Sequence, residues 1–546
     1  MMKKEPLMVG PMKILMSRDY LTLAKTTEFN MLVVKRIDRV FAVTAAVWIM
    51  GVLPNVTAAD AIRTSSWVGY QVMPASGPAA VDPYPVRLAA AADDAGDDRS
   101  IAEMFDEMVG SVDERFESVD ERFEEMDERL VPLEDFADDD TIVISGTSKS
   151  TMKVVGRVHA DMWGFPNVSQ PAGVFDDFNP QDRIGFRRMR FGVRGKIKDN
   201  MVYRIEMEFA GGNNSEFRDA FLGFTDLPVL RTVLIGNQKR PYGLDHLNSS
   251  RYNVFLERPF VIESFNQDAR RWGICSYGVS DDQRFNWRYG VYNQQLIQAL
   301  GNYVGDHWQM EVAGRLANTI WYDEVSGGRG YAHWAISGTV AEPSDDNPGN
   351  TDTEARFRHR PEARSSERWL DTGDIAGADF YELMGLEGVI NVGRVQFVGE
   401  WQNTWLQREV GAPSDNVRFW GSYFYVSYFL TGEHMPWDRK TGTLARIKPF
   451  QNFWLVDCCR GGRAGGWGAW QVAARYSYAD FNSDDIFGGV GESFTFGLNW
   501  YWNQNARMQF NCIYGSIRDR DDAEVAGVTL ESTDYTILGG RFMVDF

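Results

Sequence analysis

The chain has 546 residues, a formal net charge of −20 and a 13% content of aromatic residues. After residue 60, no apolar run approaches the length of about 18 residues that a membrane-spanning helix needs. These features exclude a helical membrane protein and leave either several soluble domains or one large β structure. Residues 93–140 contain 21 acidic and 4 basic residues, so most of the negative charge lies in one segment. The large negative net charge therefore says little about the remainder of the chain.

The sequence offers no recognisable catalytic or metal-binding motif. It has no HExxH, GxSxG or Walker-type glycine loop, and none of its four cysteines forms a CxxC pair. The adjacent Cys458 and Cys459 are interpreted as loop thiols, and a strained vicinal disulfide is the alternative. We therefore predict no catalytic residue, no metal site, no cofactor and no nucleic-acid partner.

Residues 1–60 are predicted to contain a secretion signal, because a short apolar run, VFAVTAAVWIMGVL at 40–53, has a basic flank and a small-residue exit. The flanking residues are Lys35, Arg36, Arg39, Ala58, Ala59 and Ala61. The residues before Met31 fit no signal, and Met31 is an alternative start. Residues 61–100 show no periodicity and are interpreted as a linker.

Residues 101–135 are predicted to form a coiled coil. From Val112 a seven-residue unit repeats as VDERFES, VDERFEE and MDERLVP. Apolar residues at an average spacing of 3.5 positions make helices supercoil around one another. The predicted seam consists of Phe116, Val119, Phe123 and Met126. Bulky aromatic seam residues disfavour a tight dimer and favour a three-stranded bundle. The alternative is a single amphipathic helix that packs on its own domain.

Residues 150–546 have the period of two that is typical of β-strands. In MVYRIEMEF (201–209), FNWRYGV (285–291) and RVQFVGEWQ (394–402), apolar and polar residues alternate. A soluble β-sandwich would give the same alternation. The apolar faces are, however, rich in Trp and Tyr, as in the interfacial girdles of membrane barrels. We therefore predict an all-β protein, an antiparallel transmembrane β-barrel preceded by the α-helical coiled coil.

The last six residues, RFMVDF, support the same prediction. Phe542, Val544 and Phe546 occupy every second position, so their side chains lie on one face of a strand, and an aromatic residue ends the chain. This ending resembles the C-terminal signal of bacterial outer-membrane barrels. We predict that the three residues form the barrel-assembly signal.

The stretch FRRMRFGVR (186–194) predicts a basic pore wall. Arg188, Arg190 and Arg194 share one face of the strand, while Met189 and Phe191 belong to the other. A barrel in lipid turns its apolar face outward and its polar face into the lumen. Since residues 183–198 contain no acid, we expect these arginines to remain uncompensated. The alternative is a solvated face of mixed charge.

Several stretches resemble the phosphate-selective porin O and P family. They include GRVHADMW (156–163), RRMRFGVRGKI (187–197), YRIEMEFAGG (203–212), DAFLGF (219–224), IGNQKRPYGLD (235–245), SSRYNVFLERPF (249–260), SYFLTGE (427–433), DRKTGTLARIKP (438–449), WQVAARYSYADFN (470–482) and FGLNWYWNQNARMQF (496–510). Residues 300–380 match poorly and are interpreted as long loops. The resemblance implies a homotrimer of 16-stranded barrels in the outer membrane of a Gram-negative-type bacterium.

The resemblance also implies passive diffusion of small anions such as phosphate through a basic pore. We expect residues 249–273 to fold inward and narrow it. The predicted pore-lining residues are Arg188, Arg190, Arg194, Arg204, Lys239, Arg258, Arg270 and Arg271. Lysines are few and Glu206, Glu208 and Glu263 are near in sequence, so a general anion or mixed porin remains open.

Two other functions compete with an anion porin. A general or weakly selective barrel could serve as an envelope tether, with the coiled coil bound to the cell wall. A secreted carbohydrate-active enzyme would need two carboxylates about 5–10 Å apart, and the sequence singles out no such pair. The expected partners are thus two further copies of the chain, outer-membrane lipid and small anionic solutes.

Overall fold

The computed structural model of the chain describes residues 143–147, 150–168, 180–210, 215–266, 269–297, 309–343, 354–457, 463–521 and 531–546. The predicted signal region, linker and coiled coil lie outside these residues, as do the side chains of Cys458 and Cys459. None of the helices within the described ranges is long and apolar enough to span a membrane.

Sixteen long strands form the wall of a closed antiparallel barrel. After β1 (Val143–Thr147), they are β2 (Ser150–Val168), β3 (Arg183–Ile197), β4 (Met201–Glu208), β5 (Glu216–Leu227), β6 (Arg231–Lys239), β7 (Arg270–Val279), β8 (Phe285–Asn293), β9 (Met310–Tyr322), β10 (Gly330–Ala341), β15 (Ala378–Val392), β16 (Val395–Arg408), β17 (Asn416–Phe429), β22 (Ala469–Ser483), β23 (Ile486–Tyr501), β24 (Ala506–Arg520) and β25 (Glu531–Asp545).

The connections hold two short helices and eight short strands. These are α1 (Leu244–Leu247), α2 (Phe260–Phe265), β11 (Glu354–Ala355), β12 (Arg358–His359), β13 (Leu370–Asp371), β14 (Ile375–Ala376), β18 (Trp437–Asp438), β19 (Thr443–Leu444), β20 (Trp454–Asp457) and β21 (Arg463–Gly466). The predicted 16-stranded antiparallel barrel is confirmed. The interpretation of residues 300–380 as long loops was wrong for β9 and β10, which are wall strands. It is confirmed for the long connection between β10 and β15, whose described residues form only two-residue strands.

The last strand closes the barrel on the first. β25 pairs with β2 from Arg157 opposite Asp545 to Val168 opposite Tyr535. β1 pairs with the first residues of β2, beyond the end of β25. We call the end of the barrel where β2 begins and β25 ends the terminal end, and the opposite end the loop end. Among the described residues, each of the sixteen wall strands therefore pairs with a neighbour on both sides, which is the condition for a sheet in lipid.

The two faces of the wall differ as the alternation predicts. Phe191, Phe424 and Phe496 on the outer face are 51%, 50% and 61% exposed. Gln402 and Asn499 on the inner face are buried. The lumen is therefore filled, because polar wall side chains can be buried only where other parts of the chain pack against them.

Three connections fill the lumen. The inner loop (residues 240–266, between β6 and β7) and the arginine loop (residues 356–374, between β10 and β15) enter from the loop end. The plug segment (residues 430–450, between β17 and β22) enters from the terminal end. Phe260, Trp369 and Met435, one from each, are at most 1% exposed. The expectation that residues 249–273 narrow the pore is confirmed for the part that belongs to the inner loop.

The C-terminal residue seals the joint between β25 and β2. The backbone N–H of Phe546 donates to the carbonyl of Gly156 at 3.1 Å, and the N–H of Gly156 donates back at 2.8 Å. A Cβ atom on Gly156 would lie 2.4 Å from the Phe546 ring. The Phe546 ring therefore packs directly on the backbone of β2 at Gly156, which has no side chain. Phe542 and Phe546 face outward, as predicted, while the assembly role itself stays a prediction.

We expect Phe546→Asp to reduce insertion into the outer membrane. The change replaces an apolar ring, worth on the order of 1 kcal/mol through burial, with a charge on the lipid face. The measurement is the amount of heat-modifiable protein in outer-membrane fractions, with Phe546→Leu as the matched control. Equal levels of the Asp and Leu variants would contradict the assembly role.

Candidate functional site

A cavity of about 420 Å³ lies between the inner loop and the wall formed by β2 to β8. Across the barrel from this wall, the inner loop is fixed to β16 and β22. The backbone N–H groups of Leu244 and Asp245 donate to the carboxylate of Glu400 on β16, at 3.0 and 2.6 Å. Arg475 on β22 donates to the carbonyl of Glu257 at 3.0 Å. We call the space that remains the arginine cavity.

The lining of the arginine cavity is dominated by cations. Its basic residues are Arg157, Arg187, Arg188, Arg190, Arg194, Arg204, Arg218, Lys239, Arg258, Arg270, Arg288, Arg358, Arg360, Arg364 and Arg368. Its acidic residues are Glu208, Glu216, Asp219 and Glu263. With about four cations to each acid, the lining of the cavity carries a net positive charge.

The structure brings together seven of the eight residues predicted to line the pore. Arg271 is the exception: its guanidinium donates to the backbone carbonyl of Arg270 at 3.0 Å, and it does not line the arginine cavity. Lys239 does line it, yet its ammonium group donates to the carbonyl of Asn248 at 3.1 Å and to that of Leu247. Lys239 thus fixes the inner loop, and the groups offered to a solute are mainly guanidinium groups.

The alternation in β3 places its arginines as predicted, but the expected lack of acids was wrong. Arg190 pairs with Glu206 at 3.2 Å and with Glu208 at 2.7 Å. Arg204 on β4 pairs with Glu206 at 2.7 Å. The acids come from the neighbouring strand, so inspection of β3 alone could not detect them. Among the described residues, no carboxylate lies within ion-pair distance of Arg188, although its side chain is almost fully buried.

Arg187 reaches the cavity through an irregularity in β3. His159 on β2 pairs with Arg188, whereas the next residue, Ala160, pairs with Phe186. Arg187 is therefore an extra residue in the strand, a β-bulge that turns two consecutive side chains to the same face. Strict alternation would have assigned it to lipid. Its guanidinium instead holds the carboxylate of Glu257 in the inner loop, at 2.8 and 3.0 Å.

Glu257 is the main link between the inner loop and the cavity wall. Besides Arg187, it accepts a hydrogen bond from Arg541 on β25 at 2.8 Å. Arg541 is itself held by Asp161 on β2 through two 2.7 Å bonds. The network fixes the inner loop to both strands at the joint of the barrel, and it keeps the guanidinium of Arg187 at the cavity surface.

The arginine loop supplies a second set of cations that the sequence alone did not reveal. It presents Arg358, Arg360, Arg364 and Arg368 to the cavity. The loop is anchored by Glu362, which is fully buried and pairs with Arg475 at 2.6 Å. Because the loop has no strand periodicity, the pattern of alternation could not place it. The density of arginines in RFRHRPEARSSER (356–368) was the signal available.

The arginines at the loop end of the cavity repel one another. Burial, together with the charges of Arg364 and Arg368, lowers the pKa of Arg360 to about 10. The guanidinium of Arg187, with a contribution from burial, lowers the pKa of Arg364 from its ordinary value. A guanidinium group with a pKa of about 10, such as that of Arg360, stays charged at neutral pH. Glu257 and Glu263 offset part of this repulsion, and an anion bound among the arginines would reduce it further.

The plug segment crosses the terminal end of the barrel. The Trp437 indole donates to Thr319 on β9 at 3.1 Å, and Tyr331 on β10 donates to the carbonyl of Met435 at 2.9 Å. The N–H of Leu444 donates to the Asn248 side chain of the inner loop at 3.0 Å. The two infolded connections therefore meet inside the lumen.

Comparison with known proteins assigns the chain to a family. The family model for phosphate-selective porin O and P matches residues 152–546, which is most of the chain. The chain belongs to this porin family. Porins are channels of the bacterial outer membrane, and the localisation predicted from the sequence is confirmed.

Individual relatives of this porin are distant. An uncharacterized protein of Caulobacter vibrioides is 26% identical over 416 residues, covering 72% of this chain and 74% of that protein. Among solved structures, the trimer form of OmpT from Vibrio cholerae has 12% identity and a TM-score of 0.45, covering 73% of this chain and 100% of that one. An anion-selective porin from Comamonas acidovorans has 15% identity and a TM-score of 0.42, with the same coverage.

We expect Glu257→Ala to loosen the inner loop and to raise both the conductance and the open-channel noise of this porin. Breaking a buried ion pair by removing one partner costs about 3–5 kcal/mol. Here that loss of free energy would weaken the docking of the inner loop on the wall. Single-channel recording in planar bilayers measures the effect.

The matched control is Glu216→Ala, which also removes one acid, here from the lining of the arginine cavity. Glu216 pairs with Arg218 on its own strand and makes no contact with the inner loop among the described residues. If both variants change the current equally, charge rather than loop anchoring is responsible, and the proposed anchor is wrong.

Proposed function

We propose that this porin conducts small anions, phosphate among them, by passive diffusion through the arginine cavity. The observation that carries the proposal is the composition of the lining, in which fourteen arginines and one lysine face four acids. A fixed cationic wall in a tube of low dielectric raises the local concentration of anions and repels cations. A porin of this kind is a channel and performs no chemical reaction.

The choice of arginine over lysine favours oxyanions. A guanidinium group is planar and can hold two oxygens of a phosphate or a carboxylate at once. The acids in the wall orient several of these groups: Arg270, for example, is held by Asp219 at 2.6 and 3.0 Å. Orientation by neighbouring groups reduces the cost of ordering a side chain when a solute binds.

Because the cavity has many cations, an anion is expected to pass through it and not to bind tightly at one place. An anion that leaves one guanidinium meets another, from the arginine loop at the loop end to Arg194 and Arg288 further along the wall. Conduction requires sites that are favourable enough to enter and weak enough to leave. Successive arginines of partly compensated charge meet both requirements.

Changing Arg188, Arg190 and Arg194 together to Gln should reduce anion selectivity. The change removes three cations and leaves Glu206 and Glu208 with fewer partners, so the wall becomes less positive. The measurement is the reversal potential of the purified porin in a KCl gradient, which should have the anion-selective sign for the natural protein and shift toward zero for the variant.

The matched control changes Arg231, Arg284 and Arg518 to Gln. These three residues are exposed, lie outside the cavity lining and carry the same total charge. A preference of the natural protein for K⁺, or an equal shift in the control, would contradict the anion pore. In the same bilayers, phosphate should reduce the chloride current; if it does not, the alternative of a general anion porin is favoured.

We also propose that three copies assemble, with the predicted coiled coil of residues 101–135 as the link between them. The support is the heptad pattern with its aromatic seam at Phe116 and Phe123. Deleting residues 101–135 should lower the temperature at which the trimer dissociates in detergent while leaving a folded barrel. A trimer of unchanged stability would favour the tether function, in which the same segment binds the cell wall.

A further inference from the structure

The connection between β17 and β22 carries a group of exposed aromatic side chains on the outside of the barrel. Phe450, Trp454 and Trp467 are 65%, 66% and 77% exposed. Trp454 begins β20 and Trp467 directly follows β21, so both stand at the base of one hairpin. In water this much exposed aromatic surface would be unfavourable. We therefore expect these three rings to contact another molecule.

The base of the hairpin packs on an aromatic layer that belongs to the wall. The ring of Phe453 lies 4.6 Å from that of Trp500 and 5.6 Å from that of Trp502. Trp500 stacks on Trp470 at 4.9 Å, and Trp502 contacts Phe542 at 5.4 Å. Trp470, Trp500 and Phe542 belong to β22, β23 and β25, at the terminal end of the barrel. The exposed group is therefore continuous with the lipid-facing surface.

Hydrogen bonds hold this arrangement in place. The indole N–H groups of Trp470 and Trp500 both donate to the backbone carbonyl of Trp467, at 3.1 and 2.8 Å. The N–H of Phe453 donates to the carbonyl of Trp502 at 2.6 Å. The position of Trp467 is thus set by its backbone, while its own ring remains free for an external contact.

We propose that Phe450, Trp454 and Trp467 anchor this connection in the phospholipid headgroup layer of the leaflet at the terminal end. Trp is the residue that prefers the membrane–water interface, because its ring is apolar and its N–H is polar. Two cations of the same connection are exposed, Lys448 two positions before Phe450 and Arg463 at the start of β21, and headgroup phosphates would complement their charge. Lipid is favoured over a second copy of the chain because the group combines rings with cations at the barrel rim.

The anchor has a mechanical consequence for the pore. The plug segment is part of the same connection, and Ile447, which is buried in the lumen, is only three positions from Phe450. The N–H of Phe450 also donates to the carboxylate of Glu433 at 3.0 Å, closing the plug segment on itself. Contact with lipid outside the barrel therefore restrains the plug segment inside it.

The anchor can be tested by fluorescence quenching in lipid vesicles. The full chain and its Trp454→Phe, Trp467→Phe variant are reconstituted in phosphatidylcholine with phosphatidylglycerol, and the difference in emission isolates the two indoles. We expect lipids brominated near the headgroup to quench this difference at least twofold, and aqueous acrylamide to have little effect. A Trp369→Phe difference is the shielded reference, because Trp369 is buried in the lumen.

Two results would overturn the anchor. Quenching by acrylamide but not by brominated lipid would place the indoles in water. Protection from both quenchers would show that another protein surface covers them, as in contact between copies of the chain. The mechanical consequence has its own measurement: Trp454→Ser with Trp467→Ser should increase open-channel current noise, and unchanged noise would show that the plug segment does not depend on lipid.

Discussion

The requirement that a sheet in lipid close on itself determines the rest of this structure. Closure gives each of the sixteen described wall strands a partner on both sides, and it forces the polar half of each alternating strand to face a narrow interior. That interior is not simply left to water. The inner loop and the arginine loop enter from one end and the plug segment from the other, and their backbone and side-chain groups pair with the wall. Closure and lumen filling converge on Asp545 at the end of the last strand, which pairs with Arg251 of the inner loop at 2.9 Å and with Arg446 of the plug segment at 2.5 Å.

The distribution of acids explains why a lumen with so many carboxylates still presents a cationic surface. Glu257, Glu362 and Glu387 are buried anchors: the first two fix infolded loops, and the third binds Arg315, which also donates to the carbonyl of Gly442 in the plug segment at 2.9 Å. These three acids hold loops in place inside the lumen, whereas many arginines line the cavity surface. Buried ion pairs contribute little net stability, so their value here is that they fix the positions of loops and guanidinium groups.

How much could be predicted depended on whether a residue followed the period of two. The alternation in β3 and β4 correctly directed Arg188, Arg190, Arg194 and Arg204 into the lumen. The inward position of Arg187 was not predicted, because a β-bulge interrupts the period. The acids that pair with Arg190 were not predicted as its partners, because they lie on another strand. The cations of the arginine loop had no period to follow. The fold was therefore predictable from local pattern, whereas the compensation of charge in the site required the register of neighbouring strands and the paths of the loops.

Anions, and not cations, are expected to occupy the arginine cavity. Anomalous diffraction from crystals of the natural protein soaked in bromide, and separately in rubidium, tests it most directly. We predict bromide peaks within contact distance of Arg188 and Arg364 and no rubidium peak among the cavity arginines. Rubidium inside the cavity, or bromide confined to the outer surface of the barrel, would contradict the account.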